Sequence, residues 1–277
     1  MTVVKKTWEL TGIVLAVSLF LAMVAPASVR ADGGTIDPDF DYLPPEPISA
    51  FEQFTSAITE FFRDPSHAGS YDTARRRLYR QIKDTTTFYC GCKTKLAARS
   101  FDRSSCGYVP RNDTKKAKQI EAEHILPAKF IAKYHTGDSC WKKDDACGLG
   151  RDCCYKNDAR FKKAHNDLVN LYPAIGELNV VRNDLMYDHI PGDVLLFGKC
   201  DFEVDWDRDV TEPTEDIRGD IARVFFYMRD TYSLKYPEDL EDRLAAWNKA
   251  DPISEKERAR NERIKAVQGT ANPLLEK

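Results

Sequence analysis

The chain has 277 residues, 42% of them hydrophobic, enough to bury a substantial core as one large domain or two small ones. Charged residues make up 31%, yet 41 basic and 44 acidic side chains nearly cancel, which excludes the low-hydrophobicity, high-net-charge pattern of disorder. A formal charge of −3 gives the chain no overall attraction for polyanions, so any nucleic-acid contact requires positive charge concentrated locally.

At the N-terminus, Lys5 and Lys6 precede an apolar run from Gly12 to Ala25, and Val29, Arg30 and Ala31 stand before Asp32. This is the pattern of an export signal spanning residues 1–31, because the run is short for a transmembrane helix. An uncut membrane anchor is the rival reading. Residues 32–69 read as an N-terminal extension. It opens with an extended lead-in rich in Gly, Pro and acid (Gly33-Gly34, Pro44-Pro45), and Phe51, Phe54, Ile58, Phe61 and Phe62 then follow at helical spacing.

Residues 70–277 read as the main domain. A helix from Tyr71 to Lys83 carries Arg75, Arg76, Arg77 and Arg80, which form either a solvated face or a phosphate-contacting one. Thr85 to Cys92 is rich in β-branched and aromatic residues and predicts a strand or loop-strand, with Gly91 allowing a tight bend between two cysteines. A short strand is expected from Ile120 to Leu126, stopped by Pro127. Cys140 to Tyr155 reads as a stapled irregular loop. Helices follow at Ala159 to Leu171 and Ile175 to Leu185, separated by Pro173, and again at Gly219 to Tyr232 and Leu240 to Asn248. The whole predicts a helix-rich, single α+β domain with few, short strands.

All eight cysteines lie behind the export signal, so disulfides are the default reading. Zinc held by Cys147, Cys153, Cys154 and His165 is the rival, although the spacing lacks paired C-x-x-C knuckles.

Two segments place polar, ligand-capable groups in apolar surroundings: Glu121 to Pro127 (EAEHILP) and His165 to Asn179. Adjacent side chains on a regular strand point to opposite faces, so joint action by Glu123 and His124 requires a bend or bulge there.

Seven segments occur in order: FYCGC (Phe88 to Cys92), SCGY (Ser105 to Tyr108), IEAEHILPA (Ile120 to Ala128), NLYPAIGELN (Asn170 to Asn179), RGDIARVFFYMRDTY (Arg218 to Tyr232), AWNKADP (Ala246 to Pro252) and ERIKAVQGTANP (Glu262 to Pro273). Together they resemble the bacterial endonuclease I family of periplasmic and secreted nucleases. The resemblance implies a ββα-metal, or His-Me finger, active site within a disulfide-stapled domain. His124 is then the general base, and Glu123 and Asn179 hold a divalent ion, Mg2+ first, with Mn2+ or Ca2+ as alternatives. Arg151, in the cysteine-bearing segment, is the match for a phosphate-steadying arginine.

His165 stands where members place a second acidic residue, and is expected beside the site as a metal-shell or proton-handling group. The C-terminal cysteine pair common in the family is absent, while Cys147 with Cys153 or Cys154 looks like an added local pair. The resemblance further implies an exported, monomeric endonuclease acting on DNA, with RNA a second candidate, with little sequence preference, leaving 5′-phosphates and free of the membrane once the signal is removed. An inactive nucleic-acid-binding protein of the same fold and a phosphodiesterase for small substrates are the competing readings.

Overall fold

The computed structural model describes residues 68–136, 140–141, 143–144, 147–192 and 194–276. The expected export signal and the aromatic stretch from Phe51 to Phe62 lie outside these residues. Among the described residues, no helix is long and apolar enough to cross a membrane.

Helix α1 (Tyr71–Arg77) starts at Ser70, whose hydroxyl accepts the Thr73 N–H. It continues as one wider turn, Leu78–Ile82, closed by the Lys83 N–H donating to the Leu78 carbonyl at 3.2 Å. Ala74, Leu78 and Ile82 recur every four residues and are fully buried, which fixes the inward face.

The strand expected at Thr85 to Cys92 is instead a turn. Thr87 N–H donates to the Cys92 carbonyl and Gly91 N–H to the Thr87 carbonyl, with Gly91 at φ 64° where a side chain is strained. Disulfides Cys90–Cys200 and Cys92–Cys106 anchor both ends of this bend, so its aromatics pack inward without a ladder. Short strands β1 (Thr94–Lys95) and β2 (Ser100–Phe101) form the hairpin that follows.

Strand β3 (Ile120–His124) pairs antiparallel with a strand at Leu171–Ile175 that the sequence reading missed. A helix through Leu171 was expected there, but α-helix persists only over Ala159–His165. The Asp167 carboxylate accepts the Val169 N–H at 2.9 Å, a local bond that competes with helical continuation, and the chain turns into the ladder. Pro173, read as a helix separator, sits inside this strand with its carbonyl accepting the Phe88 N–H at 2.8 Å, away from β3. Asn170 ties the strand ends together: Leu126 N–H donates to its Oδ1 at 2.7 Å, and its Nδ2 donates to the Leu126 carbonyl at 3.0 Å.

After β3 comes α2 (Ala128–Thr136). A second hairpin, β4 (Lys143–Asp144) with β5 (Gly148–Leu149), leads into α3 (Gly150–Asn157), so the segment expected as an irregular loop holds a short hairpin and, from Gly150, a helix. Disulfides Cys140–Cys154 and Cys147–Cys153 pin that helix, and a cysteine-dense stretch with little apolar periodicity conceals it in the sequence. The zinc reading falls with them, because all eight cysteines are paired and none is free to serve as a thiolate ligand. Next along the chain stand α4 (Ala159–His165), β6 (Leu171–Ile175) and α5 (Gly176–Arg182).

Strands β7 (Met186–Tyr187), β8 (Phe202–Asp205) and β9 (Val210–Pro213) make a further small sheet in the order β7-β9-β8. Helix α6 (Arg218–Tyr232) buries Ile221, Ala222, Phe225 and Met228 at the centre of the core. Helices α7 (Glu238–Ala250) and α8 (Glu255–Gln268) complete an α+β fold stapled by four disulfides.

Candidate active site

The β3–β6 register runs unbroken from Ile120↔Ile175 to His124↔Leu171, so the bend expected at Glu123 and His124 is not there. Among the described residues, β3 has a strand partner on one side only. Three consecutive β3 residues, Ala122, Glu123 and His124, line one cleft. The cleft is small, about 150 Å³, and Arg151 and Asn179 line it too. Four of the five residues singled out in the sequence therefore meet around one space.

His124 is 6% exposed, and its Nε2 lies 2.8 Å from the main-chain carbonyl of His165. A carbonyl only accepts, so Nε2 carries the proton and Nδ1 is left as the basic nitrogen. Tyr71 stacks over the ring with centroids 5.4 Å apart, and its hydroxyl donates to the Ala122 carbonyl. Burial pushes the His124 imidazole well below its ordinary range, and neighbouring His165, Arg151 and Arg182 push the same way, against the hydrogen bond to the His165 carbonyl, which raises it. A neutral imidazole at physiological pH is the state a general base needs.

His165 does not line the cleft. It is 1% exposed, packed by Tyr71, Tyr155 and Phe161, with its ring centroid 4.3 Å from that of His124. Its Nδ1 faces the Asn166 Oδ1 at 3.3 Å, while Nε2 is buried without a partner among the described residues. Burial lowers its pKa to about 4, so the ring is neutral and its carbonyl makes the contact to the site.

Glu123 is 2% exposed, and one carboxylate oxygen carries both of its close contacts. Tyr89 Oη donates to Oε1 at 2.8 Å, and Arg182 Nη1 lies 3.2 Å from the same atom. Burial raises the Glu123 pKa, while Arg182 and Tyr89 lower it. Arg182 is itself buried and braces the strand exit, donating from Nη1 to the His124 carbonyl at 2.7 Å and from Nη2 to the Ile125 carbonyl. One guanidinium thus fixes the backbone of the base and the carboxylate beside it.

Asn179 lies one turn before Arg182 on α5, so both face the cleft. Its Nδ2 donates to the Glu121 Oε2 at 2.8 Å, which orients the amide and leaves Oδ1 as its unengaged oxygen. Glu121 is held in turn by Lys116 and by Gln119 Nε2 at 2.8 Å. Gly176 permits this approach: a Cβ there would meet the Lys116 carbonyl at 2.9 Å and the Glu121 side chain at 3.2 Å.

Arg151 projects from the first turn of α3, and Lys129 pairs with Asp184 at 2.6 Å on the cleft wall. Among the described residues, no group of three or more His, Cys, Asp or Glu side chains is placed to hold a metal. The oxygen donors on offer are the Glu123 carboxylate and the Asn179 amide, a sparse hard-ligand set that suits a cation keeping several waters. Sequence reasoning missed Arg182, Tyr89 and Tyr71. Tyr89 stood inside the FYCGC motif, and Arg182 was legible as the helical neighbour of Asn179.

A base-capable imidazole, two hard oxygen donors and an arginine around a small polar cleft form a hydrolytic constellation, the class to which phosphodiesterases belong. The family model described as Endonuclease I matches residues 53–277, and the chain belongs to that family. It is therefore an endonuclease. An extracellular deoxyribonuclease of Aeromonas hydrophila is 36% identical over 217 residues, covering 77% of this chain and 92% of the relative. A periplasmic deoxyribonuclease of the same organism is 36% identical over 195 residues, covering 69% and 78% of the two chains. Endonuclease-1 of Buchnera aphidicola subsp. Acyrthosiphon pisum is also 36% identical, over 193 residues, covering 69% and 74%.

Proposed function

We propose that this endonuclease is exported and hydrolyses phosphodiester bonds in DNA, with RNA a second substrate, using one divalent cation and leaving 5′-phosphates. The reading rests on the bond from His124 Nε2 to the His165 carbonyl, which turns Nδ1 into the free basic atom of a cleft that also holds Glu123 and Asn179. The names of the relatives, extracellular and periplasmic deoxyribonuclease, support both the substrate and a location outside the cytoplasm.

The residues fit a Mg2+ ion, or Mn2+ or Ca2+ in its place. Glu123 has one oxygen committed to Tyr89 and Arg182, and Asn179 has its nitrogen committed to Glu121, so each keeps an oxygen for a hard cation. The order of β3, β6 and α5, two antiparallel strands followed at once by a helix, supports reading them as the ββα frame of a His-Me finger. When bound there, the cation supplies stabilisation of charge on the scissile phosphate and on the departing 3′ oxygen.

The remaining steps belong to the chain. His124 Nδ1 takes a proton from water as that oxygen attacks phosphorus, and the bond to the 3′ oxygen breaks; the departing 3′ oxygen takes up a proton from solvent to leave as a hydroxyl, the other product keeps a 5′-phosphate, and His124 returns its proton to solvent. Arg151 steadies the phosphate oxygens. Tyr71 shields the imidazole and keeps it neutral, and Arg182 holds its backbone. His165 contributes through its carbonyl.

Incubating plasmid with the enzyme in Mg2+ or in EDTA tests the reading, with His124→Ala as control. Chelator-sensitive internal cuts that His124→Ala abolishes while still binding DNA are the expected result. Near-normal turnover by that variant overturns the assignment of the base.

A further inference from the structure

We infer that a second, non-catalytic site on this chain, the groove at the C-terminal end of α1, binds the nucleic-acid backbone beyond the scissile phosphate. The groove holds about 530 Å³ and is lined by Tyr79, Arg80, Lys83, Thr85, Thr94 and Leu96, among others. It is more spacious than the catalytic cleft and shares no lining residue with it.

Its charge is positive and uncompensated. Arg80 and Lys83 are exposed and, among the described residues, have no acidic partner. The acid in its wall, Asp84, is buried and already paired with Arg260 at 3.0 Å and Arg263 at 3.3 Å. In a chain of net charge −3, two exposed cations beside an acid already neutralised give this groove a local attraction for an anion. Thr85 and Thr94 add hydroxyls, although that of Thr94 is committed to the Asp84 carbonyl at 2.6 Å.

The same helix joins the two sites. Tyr71 covers His124 at one end, and Tyr79, Arg80 and Lys83 line the groove at the other. The twelve residue steps from Tyr71 to Lys83 rise at most about 18 Å, since the last turn is the wider one, a span of up to roughly five nucleotide steps of a duplex strand. Arg75 lies between, its guanidinium 5.3 Å from the centre of the Tyr71 ring, although Asp72 pairs with it. The groove is thus within reach of a strand whose phosphodiester lies in the catalytic cleft. It does not touch the reacting atoms, so its contribution is to hold long substrates.

This inference rests on the nuclease reading, and binding separates the two. In a His124→Ala background, a fluorescent 20-base-pair duplex is titrated across a salt series. Arg80→Ala with Lys83→Ala is expected to reduce the slope of log affinity against log salt by about 2, since each phosphate contact contributes roughly 0.9. Arg80→Lys with Lys83→Arg, which preserves charge, should retain the slope. In the active enzyme, the double alanine variant should raise KM for long duplex while leaving hydrolysis of bis-p-nitrophenyl phosphate unchanged. An unchanged salt slope overturns the groove assignment, and so does equal loss on the small diester. Failure of the nuclease reading shows elsewhere, as absence of chelator-sensitive cutting by the wild-type enzyme.

Discussion

The imidazole of His124 donates from Nε2 to the main-chain carbonyl of His165 at 2.8 Å. The residue that orients the base does so through an atom that every amino acid possesses. His165→Met keeps that carbonyl, fills the same aromatic surroundings and removes the partnerless Nε2. The variant should retain kcat/KM within about tenfold, set against a loss of about 10²–10⁴ when a general base is removed, as in His124→Ala. Steady-state rates on a fluorogenic oligonucleotide decide it. If His165→Met falls as far as His124→Ala, the His165 ring itself handles protons.

The pH behaviour follows from burial. Desolvation holds His124 below its ordinary value of 6.5, so the neutral base persists as the solution turns mildly acidic. The acid limb of kcat/KM, measured at saturating Mg2+, should therefore lie below pH 6.5, and a limb above it contradicts the assigned base. His165 carries the companion effect on stability. Its folded pKa of about 4 lies under the unfolded 6.5, so the unfolded chain binds the extra proton. The stability linked to this ring is complete above about pH 6.5 and lost progressively as pH falls toward about 4. Acidification from pH 6.5 toward 4 should therefore lower the urea midpoint of wild type more than that of His165→Met.

How much of this was legible in the sequence depends on whether a residue's role is local. Helices α6 and α7 show an apolar face at the helical period, and their sequence-based bounds agree with the structure within two residues or so. β6 does not. Its five residues Leu171–Ile175 include a proline and are buried at four positions, leaving no alternation to read, and only the distant β3 makes them a strand. Helix α8 hides for the opposite reason: its buried residues include Glu257, Arg260 and Asn261, which look like a solvated surface until their partners are known. At the site, Glu123, His124 and Asn179 came forward because polar groups in apolar runs and a family resemblance marked them. Arg182 did not, because beyond its helical spacing from Asn179 nothing local marks it: its partners, the His124 and Ile125 carbonyls and the Glu123 carboxylate, lie more than 50 residues away in sequence.

The orientation of Asn179 gives a third prediction. With Nδ2 bonded to Glu121, the amide offers Oδ1 to the cleft, and without that acceptor the group rotates freely. Glu121→Ala should weaken apparent Mg2+ affinity about 10–100-fold, the range for losing a residue that orients a ligand. Saturating Mg2+ should restore much of kcat. Glu121→Gln keeps an acceptor oxygen and should fall between. Activity titrated against Mg2+ gives both constants, and an unchanged Mg2+ dependence in Glu121→Ala rules out the orienting role.

The last prediction concerns the staples, whose contributions should rank by the chain they enclose. Cys90–Cys200 spans 110 residues and ties the bend at Gly91 to the segment entering β8, whereas Cys147–Cys153 spans 6 within the second hairpin and α3. Loop-closure entropy then assigns about 5 kcal/mol to the long bridge and about 2 kcal/mol to the short one. The long bridge also braces Tyr89, adjacent to Cys90, which donates to Glu123. Cys90→Ala with Cys200→Ala should therefore lower both the urea midpoint and kcat. Cys147→Ala with Cys153→Ala should cost less stability, and its effect on activity should be confined to Arg151, which α3 carries between that bridge's two ends. Equal losses from the two variants would mean that loop length does not govern here, and that the short bridge orders α3 as a unit.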